Sequence, residues 1–313
     1  MKIKHIVSCL FVSLIGFSAC SIEELPYNQL TEDELDGSYE SLLSATRGNY
    51  AVFKKTAFHQ GWHYAGELAS DNVSLSGVSS DALMYIYNYQ RITDNYHMSN
   101  MWGWAYRSII NSNKILEKAQ EGESKEMDQL IGENYFLRGW LQFVLVNVFG
   151  RPYNQSPETN LGIPLKLTAD VNDYPMRSTV KESYEQILKD LKKAEALLNS
   201  ESNIYAGPSA AKALLSRVYL YMGNNKLAAE YGTEVIESSG RTLLEGETYA
   251  TANVLVPEDN PEIIFAIRCT KDKAFMPTST VWVGESCTLP NHSGMRMPNI
   301  RKICAHATSF HNI

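Results

Sequence analysis

Residues 127–149 constrain the fold more than any other segment of this chain of 313 residues. Aliphatic side chains recur at the spacing of one helical face: Leu130, Leu137, Leu141, Val144, Leu145 and Val148. Aromatic side chains widen that face until little polar surface remains: Tyr135, Phe136, Trp140 and Phe143. Because a helix that is apolar on nearly every side is buried by other elements, the segment predicts a central helix of a helical domain. Gly150 and Pro152 end it.

Three shorter helices are predicted further along the chain. Thr179 and Glu182 form a capping box that opens one helix. Pro208 fits the first turn of the next, which pairs with a helix after Gly223. This last pair matches the tetratricopeptide spacing at five positions: Leu215, Tyr219, Gly223, Ala228 and Val235. Because one such pair cannot bury its faces alone, stacked neighbouring helices are expected.

The N-terminus has the order of a secretory signal. Lys2 and Lys4 precede a short apolar run, and Cys20 follows the small residues Ser18 and Ala19. The run is shorter than the roughly 20 residues that span a membrane. We therefore expect a lipoprotein signal peptide over residues 1–19, lipid attachment at Cys20 and a tether over residues 20–35. The alternative is a plain signal peptide with an incidental cysteine.

Bulk composition excludes some classes of partner. The formal net charge of −7 argues against nucleic acid, since phosphate binding requires clustered Lys and Arg. Outside the signal and Cys20, three cysteines remain, so no disulfide framework is indicated. Residues 262–267 are predicted to form a short strand, and residues 36–283 a helical domain. Residues 284–313 lose all periodicity and are expected to be a non-native or disordered tail.

Residues 59–98 are the best match to a sugar-binding surface. They lie between a first helix starting near Asp36 and a helix starting at Trp102, and they are rich in aromatic and amide side chains. The alternating Tyr85, Tyr87 and Tyr89 would share one face of an extended segment. Sugar sites need aromatic faces together with hydrogen-bonding groups. The candidates for glycan contact are Asp71, Asn72, Tyr85, Tyr87, Tyr89, Asn95 and Tyr96. For each tyrosine the alternative is packing with a satisfied hydroxyl, and Trp104 is a weaker candidate.

Catalytic chemistry has little support in the sequence. Glu67 and Asp71 are spaced to share a helix face like a glycosidase carboxylate pair, but surface carboxylates often have this spacing. His59 and His63 have the same spacing without a third zinc ligand. The chain has neither a glycine-rich phosphate loop nor a serine nucleophile elbow. We therefore expect no enzyme activity, no cofactor and no metal site.

A series of short motifs carries a family likeness over residues 20–283. It begins with the motif ending at Cys20 and continues through residues 106–116, 133–139, 146–150, 162–165, 177–180, 207–208, 210–215 and 260–265. In these motifs and their order the chain resembles the SusD/RagB family of glycan-binding outer-membrane lipoproteins. The resemblance implies an all-α fold of tetratricopeptide-like helix pairs with a loop-rich irregular portion. Glu23 and Glu24, just after Cys20, resemble the family's surface-export signal.

The resemblance also implies a function and partners. A non-catalytic lipoprotein on the cell surface would capture oligosaccharide and deliver it to a TonB-dependent, SusC-like transporter of the outer membrane. The lipid anchor would hold the protein to that membrane. The alternatives are an interaction scaffold or transporter lid without sugar affinity, or a non-functional copy. A non-functional copy is considered because family members are longer than this chain. The loss of periodicity near Gly284 is what a truncated or frame-shifted sequence would show.

Overall fold

The described part of the chain is a stack of helices with two small strand pairs. The computed structural model describes residues 35–70, 74–75, 81–90, 92–251, 255–268 and 287–288. Its α-helices are α1 (Tyr39–Tyr50), α2 (Thr56–His63), α3 (Asp81–Tyr87), α4 (Tyr96–Lys118), α5 (Lys125–Phe149), α6 (Val180–Leu197), α7 (Pro208–Tyr221) and α8 (Asn225–Ser238). The predicted all-α fold is confirmed.

Short strands and turns connect these helices. Strand β1 (Ser74–Leu75) pairs antiparallel with β4 (Cys287–Thr288), and Leu75 lies opposite Cys287. Strand β2 (Leu161–Pro164) pairs antiparallel with β3 (Arg177–Thr179), with an irregularity in register between Leu161 and Pro164. A π-helical turn, Tyr64–Leu68, directly follows α2. Turns of 3₁₀-helix are Ala51–Lys54, Gly246–Thr251 and Pro257–Asp259.

Helix α5 is the centre of the core, as predicted. It starts at Lys125, where the Ser124 hydroxyl accepts the Met127 N–H, and it ends at Gly150. Most of its residues from Met127 to Val146 are buried. Two glycines allow α6 to pack closely: a Cβ at Gly139 would lie 3.0 Å from the Leu191 side chain, and one at Gly132 would lie 3.0 Å from Leu198.

A buried polar network joins α4, α5 and α6. The Arg138 guanidinium donates to both carboxylate oxygens of Asp190, at 2.7 and 2.6 Å, and to the Asn113 side-chain oxygen at 2.7 Å. The Asn113 amide donates in turn to the carbonyls of Lys166 and Thr168. Because the charged partners hydrogen-bond each other, their burial is compensated. The network fixes the loop after β2 against the helices.

The last helix pair has the predicted tetratricopeptide geometry. Pro208 opens α7, and Gly223 turns the chain with a φ of +76°, a conformation that glycine adopts at little cost. The Asn224 side chain then accepts the Leu227 N–H and caps α8. Four of the signature side chains are buried: Leu215, Tyr219, Ala228 and Val235. The capping box of Thr179 and Glu182 is also present at the start of α6.

The prediction of a strand at residues 262–267 is wrong. In the structure this segment is irregular, and the Ala266 N–H donates to the Asn203 carbonyl at 2.7 Å. Phe265 inserts into the helical core, with its ring centroid 5.4 Å from Phe136 and 5.7 Å from Trp140. A run of apolar residues this short predicts burial without deciding between a strand and an irregular core segment.

Two predicted helix starts also differ from the structure. The first helix begins at Tyr39 rather than near Asp36, because the Ser38 side chain accepts the Ser41 N–H and acts as its cap. Helix α4 begins at Tyr96 rather than Trp102, because Asn95 caps it. Within the described residues, no helix is long and apolar enough to cross a membrane. Cys20, the acidic pair Glu23 and Glu24 and the tail after residue 284, apart from β4, lie outside the described residues.

Candidate functional site

Helices α2 and α4 meet at Gly61. A Cβ at this buried glycine would lie 2.6 Å from the Met101 Cβ and 2.7 Å from the His97 carbonyl oxygen, both closer than real contacts allow. Only glycine therefore permits this approach. The contact brings the first turn of α4 beside the second half of α2 and the π-helical turn that follows it.

Three aromatic rings lie together at this junction. The His97 ring is edge-on to Tyr64 at 4.8 Å between centroids and to Tyr96 at 5.4 Å. The Tyr96 side chain is 66% exposed, whereas His97 and Tyr64 are half-buried. Burial lowers the pKa of His97 below its usual value, which favours the neutral imidazole. We call Tyr64, Tyr96 and His97 the aromatic surface; it offers exposed ring area with a neutral hydrogen-bonding group beside it.

Tyr89 lies on the neighbouring connection. It is 73% exposed and has a φ of +55°, in the left-handed region. Its hydroxyl donates to the Ala69 carbonyl, one residue beyond the π-helical turn that contains Tyr64. This bond ties the segment after α3 to the turn that supports the aromatic surface.

Asn95 has a capping role rather than a free amide. Its side-chain oxygen accepts the N–H groups of His97 and Met98, at 3.1 and 3.3 Å. Its NH₂ group donates to the Ala82 carbonyl at 2.8 Å and so links α4 to α3. The residue is buried. Both polar atoms of the Asn95 side chain thus form hydrogen bonds within the protein and fix the start of α4. Its predicted contact with glycan stays a prediction.

The predicted shared face of Tyr85, Tyr87 and Tyr89 is wrong. Tyr85 and Tyr87 lie in α3 and are half-buried, and Tyr89 follows the end of that helix. Residues two apart on a helix point about 200° apart, so these rings do not line one face. The local helix preference of residues 82–84, anchored by buried Leu83, prevails over the alternation of tyrosines.

The remaining candidates are placed as follows. Asp71 and Asn72 lie outside the described residues, so their predicted role stays a prediction, as does the pairing of Glu67 with Asp71. The His59 and His63 rings lie 4.2 Å apart. In the described part of the chain, no group of three potential metal ligands occurs.

Two cationic side chains lie near the Trp104 ring. The Lys55 ammonium lies 5.0 Å and the Arg107 guanidinium 4.8 Å from its ring centroid, and the side chain is half-buried. These cation–π contacts favour a structural role for the ring. Sequence reasoning missed Tyr64 and His97, because the close approach at Gly61 that unites them leaves no local signal.

The fold and this surface define a class: a helical-repeat protein with exposed aromatic rings on a short loop-and-helix junction. A family model of SusD-like proteins, described as starch-binding and associating with the outer membrane, matches residues 22–220. Because that match spans more than half of the chain, the chain belongs to the SusD-like family. Among curated proteins, none matches the chain.

Solved structures of similar fold support this assignment. A SusD superfamily protein from Bacteroides thetaiotaomicron is 28% identical, with a TM-score of 0.68 over 75% of this chain and 54% of that chain. One from Bacteroides fragilis is 25% identical, with a TM-score of 0.67 over 82% and 62%, respectively. A putative sugar binding protein from Bacteroides vulgatus is 28% identical, with a TM-score of 0.63 over 72% and 52%. The chain thus spans about half to three fifths of the length of these proteins.

Proposed function

We propose that this chain binds oligosaccharide at the cell surface without chemically altering it. The observation that carries the proposal is the match of residues 22–220 to a family described as starch-binding. The aromatic surface supplies a physical basis, because the exposed Tyr96 ring can stack on the C–H face of a sugar. Tyr89, Asp71 and Asn72 are proposed as further contacts.

The binding proposal is tested by affinity electrophoresis in gels that contain a panel of neutral and acidic polysaccharides. We expect retardation in at least one gel, and Tyr96→Ala should reduce it. The matched control is Tyr249→Ala, because Tyr249 is also exposed, at 56%, but lies in a 3₁₀ turn outside residues 59–98. Normal mobility of the wild type in every gel, or equal retardation of wild type and Tyr96→Ala, would contradict the proposal.

The proposed lack of catalysis has its own test. Prolonged incubation with the retained polysaccharide should yield no new reducing ends. If reducing ends appear and then vanish in a Glu67→Gln variant, the chain is a glycosidase and the proposal of simple binding fails.

We further propose that Cys20 carries a lipid that holds the protein to the outer membrane, and that the helical repeats contact a TonB-dependent transporter. The transporter proposal is supported by apolar side chains exposed on the last helix pair: Leu220 is 58% and Ile236 80% exposed. Radiolabelled palmitate should be incorporated into the wild type but not into Cys20→Ser.

Co-purification with the wild type should recover the transporter, and the double variant Leu220→Asp with Ile236→Asp should abolish its recovery.

A further inference from the structure

A concave site opens on the protein surface at a distance from the aromatic surface. It is a cleft of about 710 Å³ between α4, α5 and α6, and the loop after β2 forms part of its rim. This volume is within the range of small-molecule sites, roughly 300–1,000 Å³. Asn113, which lines the cleft, is more than four helical turns beyond Tyr96 on α4, or about 25 Å along the helix axis. The cleft and the aromatic surface are therefore separate.

Positive charge dominates the walls of this cleft. Four cationic side chains line it, Arg138, Lys189, Lys192 and Lys193, against two carboxylates, Glu117 and Asp190. The excess is notable because the whole chain has a formal net charge of −7. A concave surface with excess positive charge concentrates anions near it.

Only part of this charge is neutralised within the protein. Asp190 neutralises Arg138 at 2.6 Å, and Glu121 pairs with Lys193 at 2.6 Å. In the portion of the chain that the structure describes, neither Lys189 nor Lys192 forms an ion pair. Both residues are exposed and lie three residues apart on one face of α6, so their side chains start from neighbouring positions. The Lys192 ammonium lies 5.9 Å from the Tyr219 ring centroid. The charges of Lys189 and Lys192 act on the Asp190 and Glu195 carboxylates, respectively. Because both lysines are also exposed, they can bind an anionic group in the cleft.

The rest of the lining favours an anion carried on a partly apolar ring. Leu116, Leu167 and the Tyr135 ring contribute apolar surface, and Gln186 contributes an amide. The Arg138 guanidinium lies 5.2 Å from the Tyr135 ring centroid, which fixes that ring in the wall. An inorganic anion would leave this apolar wall unused, whereas a pyranose ring presents both C–H surface and hydroxyl groups.

We propose that this cleft binds a carboxylate-bearing saccharide unit, a hexuronate, whose carboxylate is held by Lys189 and Lys192. The saccharide ring lies against Tyr135 and Leu167, and Gln186 contacts a hydroxyl group. The site would give the protein a preference for acidic glycans that is independent of stacking on Tyr96.

The test is calorimetric titration of the intact protein with trigalacturonate and with its methyl ester, which keeps the shape and removes the charge. The acid should bind about tenfold or more tightly than the ester, as expected for loss of a charge-assisted contact. The double variant Lys189→Met with Lys192→Met should lose about tenfold in affinity for the acid. Lys181→Met, on the same helix but outside the cleft, is the matched control and should bind like the wild type.

The inference is overturned by no binding of trigalacturonate, by equal binding of acid and ester, by an equal loss in Lys181→Met, or by sulfate binding as tightly as the uronate. Tyr96→Ala separates this inference from the proposed function. It should leave binding of the uronate in the cleft unchanged even if it abolishes retention by other polysaccharides, and a parallel loss of uronate binding would show that the cleft is not the site.

Discussion

Removal of the Asp190 carboxylate should strongly destabilise the fold. Asp190 is buried, and it accepts two hydrogen bonds from Arg138 and one from Gln186, at 2.8 Å. In Asp190→Leu the Arg138 guanidinium keeps its charge but loses its counter-ion. Breaking a buried pair in this way costs about 3–5 kcal/mol. Because Arg138 also lines the cleft, water can reach it, and we expect a loss near ~3 kcal/mol.

Removal of both partners should cost much less than removal of one. In the double variant Arg138→Met with Asp190→Leu no buried charge is left, so we expect a free energy of unfolding within ~1 kcal/mol of the wild type and well above that of either single variant. The surface pair of Lys193 and Glu121 is the matched control. Its side chains are 37% and 51% exposed, and Glu121→Gln should cost less than about 1 kcal/mol.

Urea unfolding followed by far-ultraviolet circular dichroism measures these differences. The midpoint of Asp190→Leu should fall sharply at an unchanged slope, which reports a loss of stability rather than a change in the surface exposed on unfolding. A loss below ~1 kcal/mol in Asp190→Leu, or a double variant as unstable as the sum of the singles, would show that the unpaired Arg138 charge does not cause the loss of stability.

Three further predictions concern the aromatic surface and the core. Gly61→Ala should destabilise by about 1–3 kcal/mol through overlap with Met101, whereas Gly66→Ala, which has no atoms within 4 Å of the added Cβ, should be nearly neutral in urea unfolding. Because burial lowers the pKa of His97, the unfolded chain binds more protons than the folded chain just below the usual pKa of about 6.5. The contribution of neutral His97 to stability is therefore present above that pH and is lost as the pH falls. The urea midpoint of His97→Gln should change less than that of the wild type between about pH 7.5 and about pH 5.5. Phe265→Ala should cost about 3–5 kcal/mol by thermal or urea unfolding, because its ring is only 1% exposed; a cost below ~1 kcal/mol would place the ring outside the core.

Local sequence signals predicted six of the described α-helices, but not α2 and α3, which fall where the aromatic and amide residues predicted no helix. The capping box of Thr179 and Glu182, Pro208 at the start of α7 and the turn at Gly223 each act within a few residues, so the sequence pattern contains the whole interaction. The apolar residues on nearly every side of α5 likewise predicted that this helix is buried. Such features depend on propensity and periodicity, which do not require knowledge of distant contacts.

The candidate site was harder to predict because distant residues create it. The approach of α2 to α4 at Gly61 unites Tyr64 with His97, and no local pattern encodes that contact. Asn95 has the residue type of both a sugar ligand and a helix cap, and only its hydrogen bonds distinguish the two roles. The apolar run that contains Phe265 indicated burial but not its irregular backbone.

The proposed function depends on glycan binding at the aromatic surface. The most direct test is calorimetric titration of wild type, Tyr96→Ala and Tyr249→Ala with an oligosaccharide from the polysaccharide that retains the protein in gels. Tyr96→Ala should lose about tenfold or more in affinity with an unchanged melting temperature, and Tyr249→Ala should bind like the wild type. Equal affinity in all three proteins, or no measurable binding by the wild type, would contradict the proposed function.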